Sequence, residues 1–314
     1  MNKVNIGIIG CGKHFENFHL PSFKRLKKKI CIQGIFDTDL RRAKYISKKY
    51  GIKKIFSSVN QQIINSIRYK KNIIVEKPFV LKKNQIDKII NLSKKTNLKI
   101  MCLQHSRFRE ETKSFYKFFQ KNTKKFGKPF LIEAFANYSK GIPLQKNNSF
   151  TNVKLSGGGP LLDHGSHLLD LILYFFDFNT FKIKSSFFFK NFFKKNNIIY
   201  NVEEMATVNL LLDQKILLKF ETSYLSHKEK DNYCINFYFE NGYLNWPNLS
   251  YKLNNNYGFI KFKHKEKASD IQFSHFVDCV LNNKKPVIEL KQTKKIVTLI
   301  EKLYNRATYI DNYG

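Results

Sequence analysis

The sequence predicts an α/β chain of two domains: a parallel sheet with helices on both faces over residues 1–103, then an α+β domain over 104–314 with a large, mostly antiparallel open sheet. Three observations predict it. Short apolar runs alternate with amphipathic helical stretches at the start, longer strand-like runs follow, and 314 residues exceed the ~250 at which single cores stop growing.

In the first part, an apolar strand over 4–10 leads into helical spacing that continues to Lys29. A second strand over 30–36 ends at Asp37, and "DLRRAKYISKKYG" reads as a helix closed by Gly51. A short strand over 53–56, a helix over 59–69, a strand from Asn72, a helix over 84–95 and a strand over 98–103 complete a βαβ series. In the second part, strands are expected over 129–137, 181–189, 206–212, 215–222 and 232–240, the last followed by the hairpin signal Asn241-Gly242 and "YLNW". A helix is expected from Pro160, and two helices, over 269–281 and 292–306, close the chain.

Composition narrows the function class. The formal charge is +32, but only seven of the 56 basic residues are Arg, leaving 49 Lys spread along the chain with no Arg-rich arm. Abundant Lys, Asn, Ile, Phe and Tyr together read as the codon usage of an AT-rich genome, so no nucleic-acid partner is expected. Five scattered cysteines without a C-x-x-C read as reduced thiols. No window approaches the ~20 apolar residues of a membrane span and the N-terminus lacks a secretory pattern, so the expectation is a soluble, cytoplasmic protein.

Three groups of residues could carry chemistry. Gly7, Gly10 and Gly12 lie where the first strand turns into the first helix, where bare backbone lets a pyrophosphate approach the helix N-terminus. Asp37, at the end of the second strand, suits the two hydroxyls of an adenosine ribose and repels a 2'-phosphate. That points to NAD, with NADP possible because Arg41 and Arg42 follow; position 15, where a third glycine is usual, holds Phe15. The second group is "SGGGPLLDHGSHLLDLILYFF": Gly157 to Gly159 read as a flexible lead-in, and Asp163, His167, Asp170 and Tyr174 form one polar stripe on an apolar helix. Such a stripe is either a satisfied polar pocket in a core or the lining of a site. The third is Glu76-Lys77-Pro78, two charges at the end of the buried strand of Ile73, Ile74 and Val75. No metal is expected: His164 and His167 have no third ligand in register, and His14 and His19 read as cofactor-side or structural.

"GIIGCGKHFENFHLPSF", "VEKPF", "HSRF", "GGGPLLDHGSHLLDL", "FENGYLNW" and "FSHFVDCVLNNKKPV", in that order, resemble the glucose-fructose oxidoreductase, inositol dehydrogenase and MocA (Gfo/Idh/MocA) family of nicotinamide-dependent oxidoreductases. The resemblance implies an N-terminal Rossmann-like domain and a C-terminal domain whose sheet forms a homodimer or homotetramer interface. It makes Lys77 the residue that polarises a substrate hydroxyl or carbonyl, His167 the acid/base and Asp163 the residue that holds substrate or histidine. The cofactor residues it implies are Gly7, Gly10, Gly12, Lys13, His14, Asp37, Arg42, Glu76 and Lys77. Substrates would be sugars, cyclitols or nucleotide sugars.

One departure stands out. Between the strand at 53–56 and "IIVEKP" the family has a helix, a strand and another helix, whereas "SSVNQQIINSIRYKKN" has room for a single helix. A strand–helix unit is missing near 57–60, and the lost strand would lie beside the first strand. Two outcomes are open: the 53–56 segment is rearranged, or the Asn72 strand slides into the vacancy. A slide of one strand spacing, ~4.8 Å, would carry Lys77 beyond the ~1 Å tolerance of catalytic geometry. The alternative to an enzyme is therefore a degenerate relative that keeps the fold without turnover.

Overall fold

The computed structural model describes residues 3–56, 62–139, 141, 150–192, 199–226, 228–263 and 266–312. The chain divides into two compact units, the first made of Met1–Lys77, Asn84–Phe108 and Lys265–Thr293, the second of Pro78–Lys83, Arg109–His264 and Lys294–Gly314.

In the first unit β1 (Val4–Ile9) runs parallel to β2 (Ile30–Phe36), with Val4 opposite Ile30 and Ile9 opposite Phe36. The helix between them opens with a π turn at Phe15–His19 and continues as α1 (Leu20–Arg25). Phe15, in place of a third glycine, is buried in the core at this turn, where the wider winding accommodates a ring that glycine would not bring. Helix α2 (Leu40–Tyr50) is capped at its start by the Asp39 side chain, which accepts from the N–H groups of Arg41 and Arg42, and closed by Gly51 at φ 66°.

The third strand expected at 53–56 survives as a single parallel bridge between Ile35 and Ile55. The Phe56 N–H donates to the Ile35 carbonyl at 2.8 Å, and the Ile35 N–H to the Lys54 carbonyl at 3.0 Å. Gly34 permits this approach, because a Cβ there would lie 2.9 Å from the Lys54 oxygen. Helix α3 (Gln62–Arg68), β3 (Ile73–Val75), α4 (Lys83–Ser93) and β4 (Ile100–Cys102) follow, with β3 parallel to β4.

Among the described residues, β1 pairs only with β2 and β3 only with β4, so the sheet of this unit is in two pieces. Neither outcome open to the sequence is realised: the 53–56 segment keeps its place beside β2, and β3 has not slid to pair with β1. The point of shortening, 57–60, lies outside the described residues. Among the described residues this leaves a seam between β1 and β3, and none of the residues of β1 is fully buried although a central parallel strand normally is.

Among the described residues the second unit holds nine strands: β5 (Pro129–Asn137), β6 (Phe181–Lys190), β7 (Met205–Leu212), β8 (Ile216–Ser223), β9 (Asn232–Phe239), β10 (Gly242–Trp246), β11 (Ser250–Leu253), β12 (Asn256–Phe259) and β13 (Thr308–Asp311). They form one sheet in the order β12-β11-β10-β9-β5-β8-β7-β6-β13, antiparallel except for β5–β8 and β6–β13. Strict alternation of buried and half-exposed residues along β7 marks one core-facing and one outward face. The core face packs against α5 (Glu110–Phe126) and, beyond the short α6 (Val153–Ser156), against α7 (Ser166–Phe176). There Phe115, Phe175 and Phe237 meet with ring centroids 4.7–5.7 Å apart. The expected hairpin forms, with Gly242 opposite Phe239. Its glycine serves close packing, since a Cβ would lie 2.3 Å from the Lys252 carbonyl oxygen.

The last two helices among the described residues precede β13. Helix α8 (Ala268–Leu281) belongs to the first unit, where Phe273 and Val277 join Cys11, Phe15, Phe23 and Ile35 in one core. Helix α9 (Leu290–Asn305) sends Ile296, Leu299, Ile300 and Leu303 into the core of the second. No helix of the described residues is long and apolar enough to cross a membrane.

Candidate functional site

The glycine turn of the first unit is open. Gly10 has φ +83°, a conformation L side chains resist, and neither Gly10 nor Gly12 would meet an atom within 4 Å if it carried a Cβ. The Gly10 N–H is used by the Phe36 carbonyl, which locks the turn to β2. Lys13 and His14 occupy the exposed first turn of the helix that follows. Gly7 sits inside β1, where a Cβ would touch the Phe56 ring at 3.7 Å.

Asp37 organises this turn from the end of β2. One carboxylate oxygen accepts from the Cys11 N–H at 2.8 Å and the other from the Asp39 N–H at 2.9 Å. Each oxygen keeps capacity for a further donor, as two ribose hydroxyls require. Burial first, then the Asp37 charge, pushes the Cys11 thiol up to about 12. Arg42 is committed elsewhere: its Nε donates to the Cys11 carbonyl at 2.9 Å and its Nη2 to Glu16 at 2.6 Å. Lys49 and Tyr50 also donate to Glu16, and hydrogen bonds from Lys49 and then Arg42 hold its carboxyl down at about 2. The open glycines and the acceptor capacity of Asp37 fit the adenosine and pyrophosphate portion of a dinucleotide.

Glu76 and Lys77 leave the end of β3 as expected, and the Lys77 N–H donates to Glu76 Oε2 at 3.1 Å. The Lys77 side chain is half-buried. Sequence reasoning missed the company Glu76 keeps. Its Oε1 lies 2.6 Å from His19 Nε2 and 3.3 Å from His14 Nε2. Burial alone would raise the Glu76 pKa, but hydrogen bonds from His14 and His19 outweigh it and hold the carboxyl far below the usual range.

In the second unit, the three glycines before the Asp163 helix prove to be close-packed instead of a flexible lead-in. Gly157 has φ +82°, a Cβ on Gly158 would fall 2.1 Å from the Tyr304 hydroxyl, and one on Gly159 would fall 2.2 Å from the Glu203 carbonyl oxygen. Glu203, fully buried, accepts from the N–H of Gly159 at 3.0 Å and of Leu161 at 3.2 Å. It thereby caps the start of a π turn at Leu161–Gly165 that runs into α7. The π turn breaks the single 3.6-residue stripe the sequence predicts from Asp163 to Tyr174.

Asp163, His164 and His167 are half-buried, and Asp170 is 2% exposed. Asp163 Oδ2 accepts from the Tyr224 hydroxyl at 3.2 Å and lies 3.5 Å from His164 Nδ1. The His164 ring packs on Tyr138 at 3.9 Å and on Tyr224 at 5.1 Å between centroids. Burial, reinforced by the Asp163 charge, raises the pKa of both tyrosines, so they stay protonated donors. His164, Tyr138 and Tyr224 are the polar neighbours that sequence reasoning did not select; Tyr224 lies just past a predicted strand end, the position where such a residue could have been sought. Lys77 belongs to the first unit, and Asp163 and His167 to the second.

Residues 122–245 match the model of the GFO/IDH/MocA C-terminal domain. The chain is 22% identical to D-glucoside 3-dehydrogenase of Escherichia coli K12 over 98% of its own length and 96% of that protein. Among solved structures it is similar to an aldose-aldose oxidoreductase of Caulobacter crescentus complexed with glycerol, at 16% identity, TM-score 0.79, covering 97% of both chains. It is also similar to a 3-ketoreductase of Actinomadura kijaniata in complex with NADP and TDP-benzene, at 14% identity, TM-score 0.80, covering 99% of both chains. An oxidoreductase of Agrobacterium radiobacter in complex with NAD+, L-tartaric acid and magnesium is similar at 14% identity, TM-score 0.78, over 97% of this chain and 96% of that one.

Proposed function

We propose, from the premise that the chain belongs to the Gfo/Idh/MocA family through its C-terminal domain, that it is an NAD(P)-dependent oxidoreductase acting on a hydroxyl or keto carbon of a sugar-like substrate. The observation that supports this reading is the open Gly10-Cys11-Gly12 turn held to Asp37, which suits a dinucleotide's pyrophosphate and ribose. A bound nicotinamide supplies the hydride donor or acceptor. The names of the relatives, a glucoside 3-dehydrogenase, an aldose oxidoreductase and a 3-ketoreductase, support a sugar, cyclitol or nucleotide sugar as the other reactant.

Gly7, Gly10, Gly12, Lys13, His14, Asp37, Arg42, Glu76 and Lys77 hold the cofactor in this reading. Lys77 polarises the substrate oxygen, a role that a cation at a strand end can fill. His167 takes the hydroxyl proton when the carbon gives up its hydride, and returns it in the reverse direction. Asp163, already accepting from Tyr224, positions substrate or imidazole. NAD is favoured over NADP, because Asp37 repels a 2'-phosphate and the Arg42 guanidinium is engaged by Glu16 and Cys11. The chain assembles as a cytoplasmic homodimer or homotetramer through the outer face of its nine-stranded sheet.

The test is a titration of the purified protein with NADH and NADPH, followed by turnover of Lys77→Ala. Cofactor binding retained in a variant without turnover is the expected result. The seam between β1 and β3 favours a second reading, a relative that keeps the fold and has lost turnover; absence of binding to both nucleotides would select it.

A further inference from the structure

We propose that His14, His19 and Glu76 form a site for one zinc ion or a similar late first-row divalent cation, which ties together the two pieces of the first unit's sheet. Their three ligand atoms lie within 4.8 Å of one another. Bonds of ~2.0–2.1 Å in a tetrahedral shell put ligand atoms about 3.4 Å apart. The 3.3 Å from His14 Nε2 to Glu76 Oε1 already matches that edge, and the 2.6 Å from His19 Nε2 needs to open by less than ~1 Å. Two imidazoles and one carboxylate suit zinc, cobalt or iron(II) far better than magnesium or calcium, which take all-oxygen shells. Three protein ligands leave the fourth position to water.

The spacing conceals this site in the sequence. Residues five apart lie about 140° apart around an α-helix, so His14 and His19 look unrelated. The π turn at Phe15–His19 closes i to i+5 and brings the two rings to 4.9 Å between centroids. The His19 side chain is only 14% exposed and packs edge-on against Phe273 at 5.2 Å, which fixes its direction.

The position gives the site its task. His14 and His19 stand on the helix that leaves β1, and Glu76 follows β3 directly. No ladder joins β1 to β3 among the described residues. A cation on these three side chains bridges the seam where backbone hydrogen bonds are lacking, and its binding energy becomes stability of the fold.

The inference goes beyond the hydride reading and is tested without nucleotide, so either can fail alone. The untagged full chain, stripped with EDTA, is titrated with Co2+, whose visible bands report low-coordinate ligation, and then with Zn2+ in competition. Expected are a single equivalent bound, a Tm raised by Zn2+ and not by Mg2+, and an affinity lowered in His19→Ala and Glu76→Gln by more than the ~10–100-fold that loss of an outer partner alone costs. His14→Ala, at a side chain 62% exposed, guards against misfolding as the cause and shows the same loss. No binding, binding in all three variants as tight as in the wild type, or a Tm unmoved by saturating Zn2+ overturns the proposal.

Discussion

The Tyr304 hydroxyl donates to Glu203 Oε1 at 2.7 Å, joining the last helix of the chain to the carboxylate that caps the Asp163 helix. Tyr304→Phe leaves a fully buried carboxylate one donor short, which costs about 1–3 kcal/mol. Urea unfolding followed by the single, buried Trp246 measures it.

Glu203 also sets a pH dependence. Burial is the largest influence and raises its pKa, so the folded state holds its proton above the unfolded value of 4.5. Its contribution to stability is complete below that value and is lost as pH rises through the folded pKa. Glu203→Gln carries no titration, so the stability gap between wild type and variant narrows as pH is raised from 4.5. Tm measured against pH in both proteins reads the slope.

Glu16 has the opposite sign. Hydrogen bonds from Lys49 and Arg42 depress its pKa from 4.5 to about 2, so its contribution is present above 4.5 and is lost as the pH falls toward 2. Glu16→Gln flattens the acid limb of the Tm profile within that window.

For the proposed reaction, His167→Asn lowers kcat by about 10²–10⁴-fold, the usual worth of a positioned acid/base, while the NADH dissociation constant stays within a factor of ~3. Fluorescence titration and initial rates on the same preparations separate the two quantities. A fall in both together would place His167 in the support of the fold.

Asp37→Ala removes the acceptor of the Cys11 N–H and the repulsion toward a 2'-phosphate. NADH binding weakens by about 1.5–3 kcal/mol, the scale of a hydrogen bond to a charged group, and NADPH binding weakens less. The ratio of the two dissociation constants is the readout.

The alternation of strand and helix in the first unit was legible because each run has its own period and its own stop: Asp39 starts α2 and Gly51 ends it. The long strands of the second unit were legible for the same reason. Helix α5 was hidden by its composition. Phe115, Phe119 and Phe126 do fall on one buried face, yet no element is expected from the sequence between 104 and 128. The short strands β11, β12 and β13, of four residues each, are too short for a period to declare itself. At the site, Asp37, Glu76 and Lys77 stood out because charges ended apolar strands. His19 and Glu203 did not, since a π turn and a tertiary cap depend on partners 57 and 42 or more positions away, and local pattern carries no trace of such distances.

Helix α8 reaches the core of the first unit from the far end of the chain, placing Phe273 and Val277 against Phe15, Phe23 and Ile35. During synthesis, therefore, most of the first unit emerges early and yet stays without one wall until α8 has left the ribosome. The half encoded mostly in between is completed later still, because α9 follows α8 and brings Ile296, Leu299, Ile300 and Leu303 to its core. A chain stalled before residue 268 presents an unfinished greasy groove, the natural target of a chaperone.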